Sequence, residues 1–205
     1  MLPQKKFLES HDSEVISLAY SRAILTPTTP GQEDTTADQN VKRPPGLQQR
    51  YLLASGGRDK NVLLYDSQLD YEAFMHLEHH VSTITSLQFN EYSTVEELKR
   101  SSTTPIYHRQ IDLISSSADK NLICKNLDLE RFQMFSNDLA TAGDDYENPL
   151  FKLSKSQICK DKILSLDVAS KAQYLITGHD KSLSLWKLPT FEKVWEKRVA
   201  TMEKE

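Results

Sequence analysis

The stretch "LLASGGRDKNVLLYD", residues 52–66, decides how this chain is read. Two apolar runs flank a short polar segment opened by two glycines, which is the pattern of strand, tight turn, strand. The Asp59-Lys60 pair at its centre comes back as Asp119-Lys120 in "LISSSADKNLICKNLD" and as Asp180-Lys181 in "YLITGHDKSLSLWKL". The spacings are 119 − 59 = 60 and 180 − 119 = 61 residues. A Ser or Thr precedes each aspartate: Ser55, Ser115 and Thr177. A turn repeated at a fixed period signals a repeat architecture.

Further strands flank each copy of the turn. Behind each aspartate runs a short apolar strand, "VLLYD", "LICKN" or "SLSLWK", and ahead of it runs "YLLAS", "IDLIS" or "YLIT". Upstream lies a third matching strand, "VISLAYS", "ITSLQFN" or "ILSLDVAS". A fourth follows downstream, "EAFMHLEH", "LFKLSKSQI" or "KVWEKRV". The unit is four short strands, A to D, and it occurs three times. In "VLLYD", Val62 and Leu64 face one way, Leu63 and Tyr65 the other. Strands apolar on both faces are buried on both faces. Small sheets stacked between like sheets are the blades of a β-propeller. The expected fold is all-β: three four-stranded blades, at about 7–80, 80–158 and 159–205, forming an open, partial propeller.

The pattern resembles the WD-repeat family, which places a His in the D–A loop, a Ser or Thr on strand B, an Asp in the B–C turn and a Trp on strand C. The first repeat offers His11, Ser55, Asp59 and Tyr65, and the second His80, Ser115, Asp119 and, out of pattern, Lys125. The third has Cys159 where the His is expected, then Thr177, Asp180 and Trp186. The ordered segments "HDSEVISLAYS", "YLLASGGRDKNVLLYD", "HHVSTITSLQF", "LISSSADKN" and "KILSLDVASKAQYLITGHDKSLSLWKL" are similar to the mitogen-activated-protein-kinase-binding WD-repeat scaffolds. That resemblance implies a non-enzymatic protein-binding platform in signalling or cytoskeletal complexes. Its partners would be other proteins, such as a kinase or a cytoskeletal component. An alternative is a structural subunit of a ciliary or centrosomal assembly.

Composition narrows the field. The chain has 205 residues, 38% hydrophobic and 26% charged, with net charge 25 − 29 = −4. Its basic residues are scattered, which argues against nucleic-acid binding through a clustered basic face. The start, "MLPQKKFLESHDSEV", has no apolar run of signal-peptide length. No stretch approaches the roughly 18 apolar residues of a membrane helix. Cys124 and Cys159 do not read as a disulfide framework. The expectation is a cytoplasmic protein without a cofactor: "ASGGRDK" lacks the spacing of a phosphate-binding loop. "HLEHH" places His76 and His80 on one strand face, with no Cys or carboxylate placed to complete a metal shell.

His11, Ser55 and Asp59 can also be drawn as a Ser-His-Asp triad, the basis of a serine-hydrolase alternative. "ASGGR" is not the nucleophile elbow G-x-S-x-G, and the set recurs in part with Ser115 and Asp119. The structural reading makes these residues a buried network that pins the B–C turn to the D–A loop.

Blades of this type usually run about 40–45 residues, so each period carries extra sequence. The insertion at about 22–49 is Pro-, Thr- and Gln-rich and reads as disordered. The insertion at about 91–109 contains "STVEELKR", where Ser93 and Glu96 fit a capping box and predict a short helix. The insertion at about 127–149 reads as loop. Alternating strand direction puts all three on one face. The Asp-Lys turns fall on the other face, with Arg58, Lys60, Lys120, His179 and Lys181 as candidate partner contacts. Thr26, Thr29 and Thr104, each before a proline, are candidate phosphosites. Known propellers use about 4–8 blades, so three imply apolar end faces covered by further blades in cis or trans.

Overall fold

A computed structural model describes residues 11–27, 47–96, 106–134 and 150–199. Three four-stranded antiparallel sheets stack as blades. Blade 1 is built from β1 (Val15–Tyr20), β4 (Leu52–Gly57), β5 (Asn61–Asp66) and β6 (Glu72–Glu78). A small ladder of β2 (Ile24–Pro27) and β3 (Leu47–Arg50) interrupts it. Blade 2 uses β7 (Ile84–Glu96), β8 (Ile106–Ser117), β9 (Asn121–Leu127) and β10 (Phe151–Ile158). Blade 3 uses β11 (Ser165–Ala169), β12 (Tyr174–Gly178), β13 (Ser182–Lys187) and β14 (Glu192–Arg198). Among the described residues no sheet closes on itself, and the fold is all-β in an open, partial propeller.

The strand-A elements β1, β7 and β11 lie side by side at the inner edge of the arc. Ser17 Oγ accepts the backbone N–H of Leu87 at 2.9 Å, joining the first two. Gly56 explains how closely they approach. A Cβ there would stand 2.4 Å from Ile84 Cγ2, so only glycine lets blade 2 seat against β4. Each C–D pair carries a register shift near the same place, between Leu64 and Tyr65, Leu153 and Lys155, and Leu185 and Trp186. Bulges of this kind bend and twist a strand locally.

The core divides between the two seams. Ala54, Val62, Leu64 and Leu77 of blade 1 meet Ile84, Leu87 and Leu113 of blade 2. Ile114, Leu122 and Cys124 of blade 2 meet Leu166, Leu175 and Trp186 of blade 3. Period-2 alternation sends neighbouring residues of one strand, such as Leu113 and Ile114, into different seams. Both cysteines are buried and unbridged.

The insertions differ from their sequence expectations. The segment expected to be disordered from about 22 to 49 is ordered at its edges, where β2 and β3 pair. Ile24 is buried there, and so is Arg50, whose guanidinium pairs with Asp66, lies 3.9 Å over the Phe132 ring and donates to Phe132 O at 3.3 Å. The predicted helix around Ser93 is instead strand: β7 and β8 continue as one ladder from Ile84–Ser117 out to Glu96–Ile106. Cross-strand pairing overrides the weak local signal of a capping box. The third insertion, expected to be loop, opens with helix α1 (Leu129–Met134), which buries Phe132.

Candidate functional site

The candidate site is the edge of the arc where the Asp-Lys turns emerge. In blades 1 and 2 the turn is closed by the N–H of Lys60 on Gly57 O at 3.3 Å and of Lys120 on Ser117 O at 3.2 Å. Both lysines take left-handed backbone, φ 76° and φ 73°. A non-glycine residue there costs about 1–2 kcal/mol, so something must hold the turn. Asp59 does so, accepting the N–H of Asn61 at 3.2 Å and of Asp12 at 3.1 Å. Asp119 likewise accepts from Asn121 at 2.8 Å and Val81 at 2.9 Å. Each carboxylate therefore clamps its own turn and the incoming D–A loop.

Behind the carboxylate sits an imidazole. His11 Nδ1 lies 2.9 Å from Asp59, and its Nε2 lies 2.7 Å from Ser55 Oγ. Ser55 Oγ is 3.3 Å from the Tyr65 hydroxyl. In blade 2, His80 Nδ1 is 3.0 Å from Asp119 and Nε2 is 2.9 Å from Ser115 Oγ. Gly57 leaves room for this arrangement, because a Cβ there would meet His11 Nδ1 and Asp59 Oδ1 at 2.5 Å.

Burial pulls the carboxyl of Asp59 upward. Hydrogen bonds from His11, Asn61 and Asp12 outweigh it and hold the group below its usual range. Asp119 follows the same balance, with the bonds from Asn121 and Val81 and the nearby His80 prevailing over burial. Burial lowers the affinity of His80 for a proton despite Asp119 beside it, so its ring is neutral near pH 7. The neutral ring donates from Nδ1 to Asp119 and accepts the Ser115 hydroxyl proton at Nε2.

Blade 3 is assembled differently. Trp186 Nε1 donates to Thr177 Oγ1 at 3.0 Å. Thr177 Oγ1 lies 3.1 Å from His179 Nε2, and His179 Nδ1 donates to Lys162 O at 3.1 Å. Thus His179, expected to contact partners, is half-buried and bonded to Thr177 and Lys162. Cys159, expected at the histidine position, is buried and donates its N–H to Lys120 O at 2.9 Å. Asp180, expected in the network, is exposed and clamps no turn among the described residues. The blade 3 turn is closed instead by His179 N–H on Ser182 O at 2.9 Å. The "HD" of "GHDKS" carried the signal that an imidazole was available here.

Lys125, at the strand-C position of blade 2, is buried, and desolvation pushes its amine down to about 8. It lines a narrow crevice between blades 1 and 2 with Val62, Leu77, His80, Ser115 and Ile123. His76 is exposed, 3.6 Å from Glu78, and does not join His80. Among the described residues, no group of three or more His, Cys, Asp or Glu is arranged to hold a metal ion.

On the surface of this edge, Arg58, Lys60, Lys120 and Lys181 are exposed. Arg58 makes a loose ion pair with Glu14 at 3.3 Å. The phosphosite candidates lie elsewhere: Thr26 in β2, Thr29 and Thr104 outside the described residues.

No family model matches the chain, and no curated protein sequence matches it. Solved structures that share its shape include the crystal structure of Saccharomyces cerevisiae Sqt1, a WD40 protein. The two are 12% identical with a TM-score of 0.53, over 94% of this chain and 37% of that one. The likeness shows the fold, which is WD-repeat-like. The chain spans little more than a third of the length of that structure.

Proposed function

We propose that the chain is a non-enzymatic protein-binding platform whose contact surface is the Asp-Lys turn edge. The observation that carries this reading is the clamp under each turn. His11–Asp59 and His80–Asp119 hold two strained turns rigid while their lysines stand free in solvent. A row of fixed cations at Lys60, Lys120 and Lys181 suits an acidic protein segment, and rigid presentation lowers the entropy cost of binding. The resemblance of the ordered segments to kinase-binding WD-repeat scaffolds favours a signalling or cytoskeletal setting in the cytoplasm, with a kinase or cytoskeletal component as partner. The test is crosslinking of the full chain in cell extract, read by mass spectrometry. Crosslinks are expected to concentrate at Lys60, Lys120 and Lys181, and reversing all three to Glu is expected to remove them. Crosslinks confined to the insertions would overturn the reading.

The hydrolase alternative meets the distances of a triad but not its setting. Ser55 is buried inside a strand, and blade 2 repeats the same geometry around a second buried serine, Ser115. A triad needs an accessible nucleophile beside an oxyanion hole. Ser55→Ala is expected to lower the melting temperature, with no esterase activity in the parent chain to lose.

A further inference from the structure

In two blades the strand-C residue behind the turn aspartate reaches the network hydroxyl. The Tyr65 hydroxyl is 3.3 Å from Ser55 Oγ, and Trp186 Nε1 donates to Thr177 Oγ1 at 3.0 Å. The ladders give the matching position in blade 2: Tyr65 stands opposite Leu53, Trp186 opposite Leu175 and Lys125 opposite Leu113. The amine of Lys125 makes no hydrogen bond or ion pair among the described residues, and no neighbouring charge acts on it. Lys125 is nevertheless only 8% exposed. A buried charge is normally kept by a paired charge or by hydrogen bonds.

The amine is not sealed in. The buried polar atoms without a partner belong to Asn90 and Gln173, so the Lys125 amine still meets solvent. Its way out is the crevice between blades 1 and 2. Val62 and Leu77 of blade 1 and Leu113 and Ile123 of blade 2 give that crevice apolar walls. Two polar groups in the lining are already engaged. His80 Nδ1 bonds Asp119, and His80 Nε2 takes the Ser115 hydroxyl. No Asp or Glu lines the crevice. An ammonium offers three donors and no acceptor, so a fitting guest brings an acceptor and a negative charge. The narrow apolar walls suit a flat anionic end on an aliphatic stem and disfavour a broad tetrahedral anion.

We infer that the crevice between blades 1 and 2 is a carboxylate-binding site, where the Lys125 ammonium takes the carboxylate and Val62, Leu77 and Ile123 cover its aliphatic stem. Folding has already stripped water from the amine, so the bound pair forms without that part of the desolvation cost. Charge-assisted hydrogen bonds of this kind are about twice as strong as neutral ones. A Glu side chain of a bound protein and a free short-chain carboxylate share this chemistry. The inference stands on the crevice and does not depend on the turn edge being a binding surface.

The test follows the isotope-labelled Lys125 Cε signal of the full chain by NMR through a pH titration, with the signal assigned by its loss in Lys125→Met. The probes are sodium butyrate, sodium acetate and a capped tripeptide with a central glutamate, against sodium chloride at equal ionic strength. Each is used at about 100 mM, a load that saturates a millimolar Kd. Butyrate is expected to raise the titration midpoint of Lys125 by about one pH unit, a tenfold preference for the charged amine. Acetate, with its shorter stem, is expected to raise it less, and chloride not at all. Butyrate is also expected to raise the melting temperature of the parent above its value in chloride and to leave Lys125→Met unchanged, as binding to the folded state alone requires. A shift with the tripeptide as well as with butyrate supports the site and gives it to a protein side chain. A shift with butyrate alone supports it and gives it to a free carboxylate. A midpoint that no carboxylate moves would overturn the site, and an equal shift in chloride would overturn its assignment to carboxylates.

Discussion

Blades 1 and 2 build the same clamp from the same residue types, yet they sit in different surroundings. His80 has a blade on each side of it, and His11 has one. The distances barely differ: 2.9 and 3.0 Å from imidazole to carboxylate, 2.7 and 2.9 Å from imidazole to hydroxyl. The clamp is therefore a property of a single blade, set by its own turn and loop. The apolar faces are not, since Leu87 and Leu18 share one register position and differ wholly in cover. Polar geometry is local here, and burial is supplied by the neighbour.

The sharpest way to break that comparison is to truncate the matched leucines. Leu87→Ala is expected to cost about 2–5 kcal/mol, the range for emptying a buried leucine site. Leu18→Ala in dilute solution is expected to stay within about 0.5 kcal/mol, as for surface changes. Urea denaturation of both variants reads the difference. Equal losses would show that blade 1 is covered in the monomer after all.

A smaller contrast concerns the clamps. His80→Ala leaves Ser115 and Asp119 without a partner in the interior, at an expected cost of about 1–3 kcal/mol. His11→Ala orphans Ser55 and Asp59, whose carboxylate is 8% exposed against 3% for Asp119, and is expected to cost less. If the two losses match, the second neighbouring blade contributes nothing to the clamp.

Lys125 sharpens the comparison from the opposite side. Where blade 1 puts the Tyr65 hydroxyl near Ser55 and blade 3 puts the Trp186 N–H on Thr177, blade 2 buries an amine instead. Holding that amine from its ordinary 10.5 down to about 8 opposes folding at neutral pH. Lys125→Met keeps the stem and removes the charge, and is expected to stabilise the chain by on the order of 1–2 kcal/mol. The parent should also gain stability as pH rises from about 8 toward 10.5, and the variant should lose that rise. A destabilised variant would mean that the ammonium has a partner.

The repeat itself was legible because its signals are local. A strand, a turn aspartate and a strand recur within about fifteen residues, and period-2 alternation marks both faces. His11, Ser55 and Asp59 could be grouped because the repeat supplied the alignment. The expectations that failed depended on partners far away in sequence. Arg50 reaches Phe132 across 82 positions, so neither the β2–β3 ladder nor helix α1 had a local signature strong enough to announce it. The capping box at Ser93 lost to a ladder whose other half lies at Arg109. In blade 3, His179 occupies a place that the pattern assigned to the D–A loop, and only the Thr177 contact reveals the exchange.

The smallest expected effect is acid sensitivity, and it should appear in two stages. His80 binds a proton less readily in the folded chain than at its ordinary 6.5, because burial next to Ser115 and Lys125 penalises the charged ring more than Asp119 favours it. The unfolded state thus takes up protons first, and the stability held above 6.5 drains away as pH falls through the lower folded value. Asp119 and Asp59 are both held below 3.8 in the fold, so their contribution is present above 3.8 and is lost only in stronger acid. Buried Asp112 runs against them: burial raises its carboxyl, so it favours the fold at low pH and loses that contribution as pH rises through its folded value. Denaturation midpoints measured from about pH 7 down to about pH 3 should therefore fall first in the histidine range, then again in the carboxylate range. His80→Gln should erase the first step and leave the second. A first step that survives His80→Gln would assign it to another group.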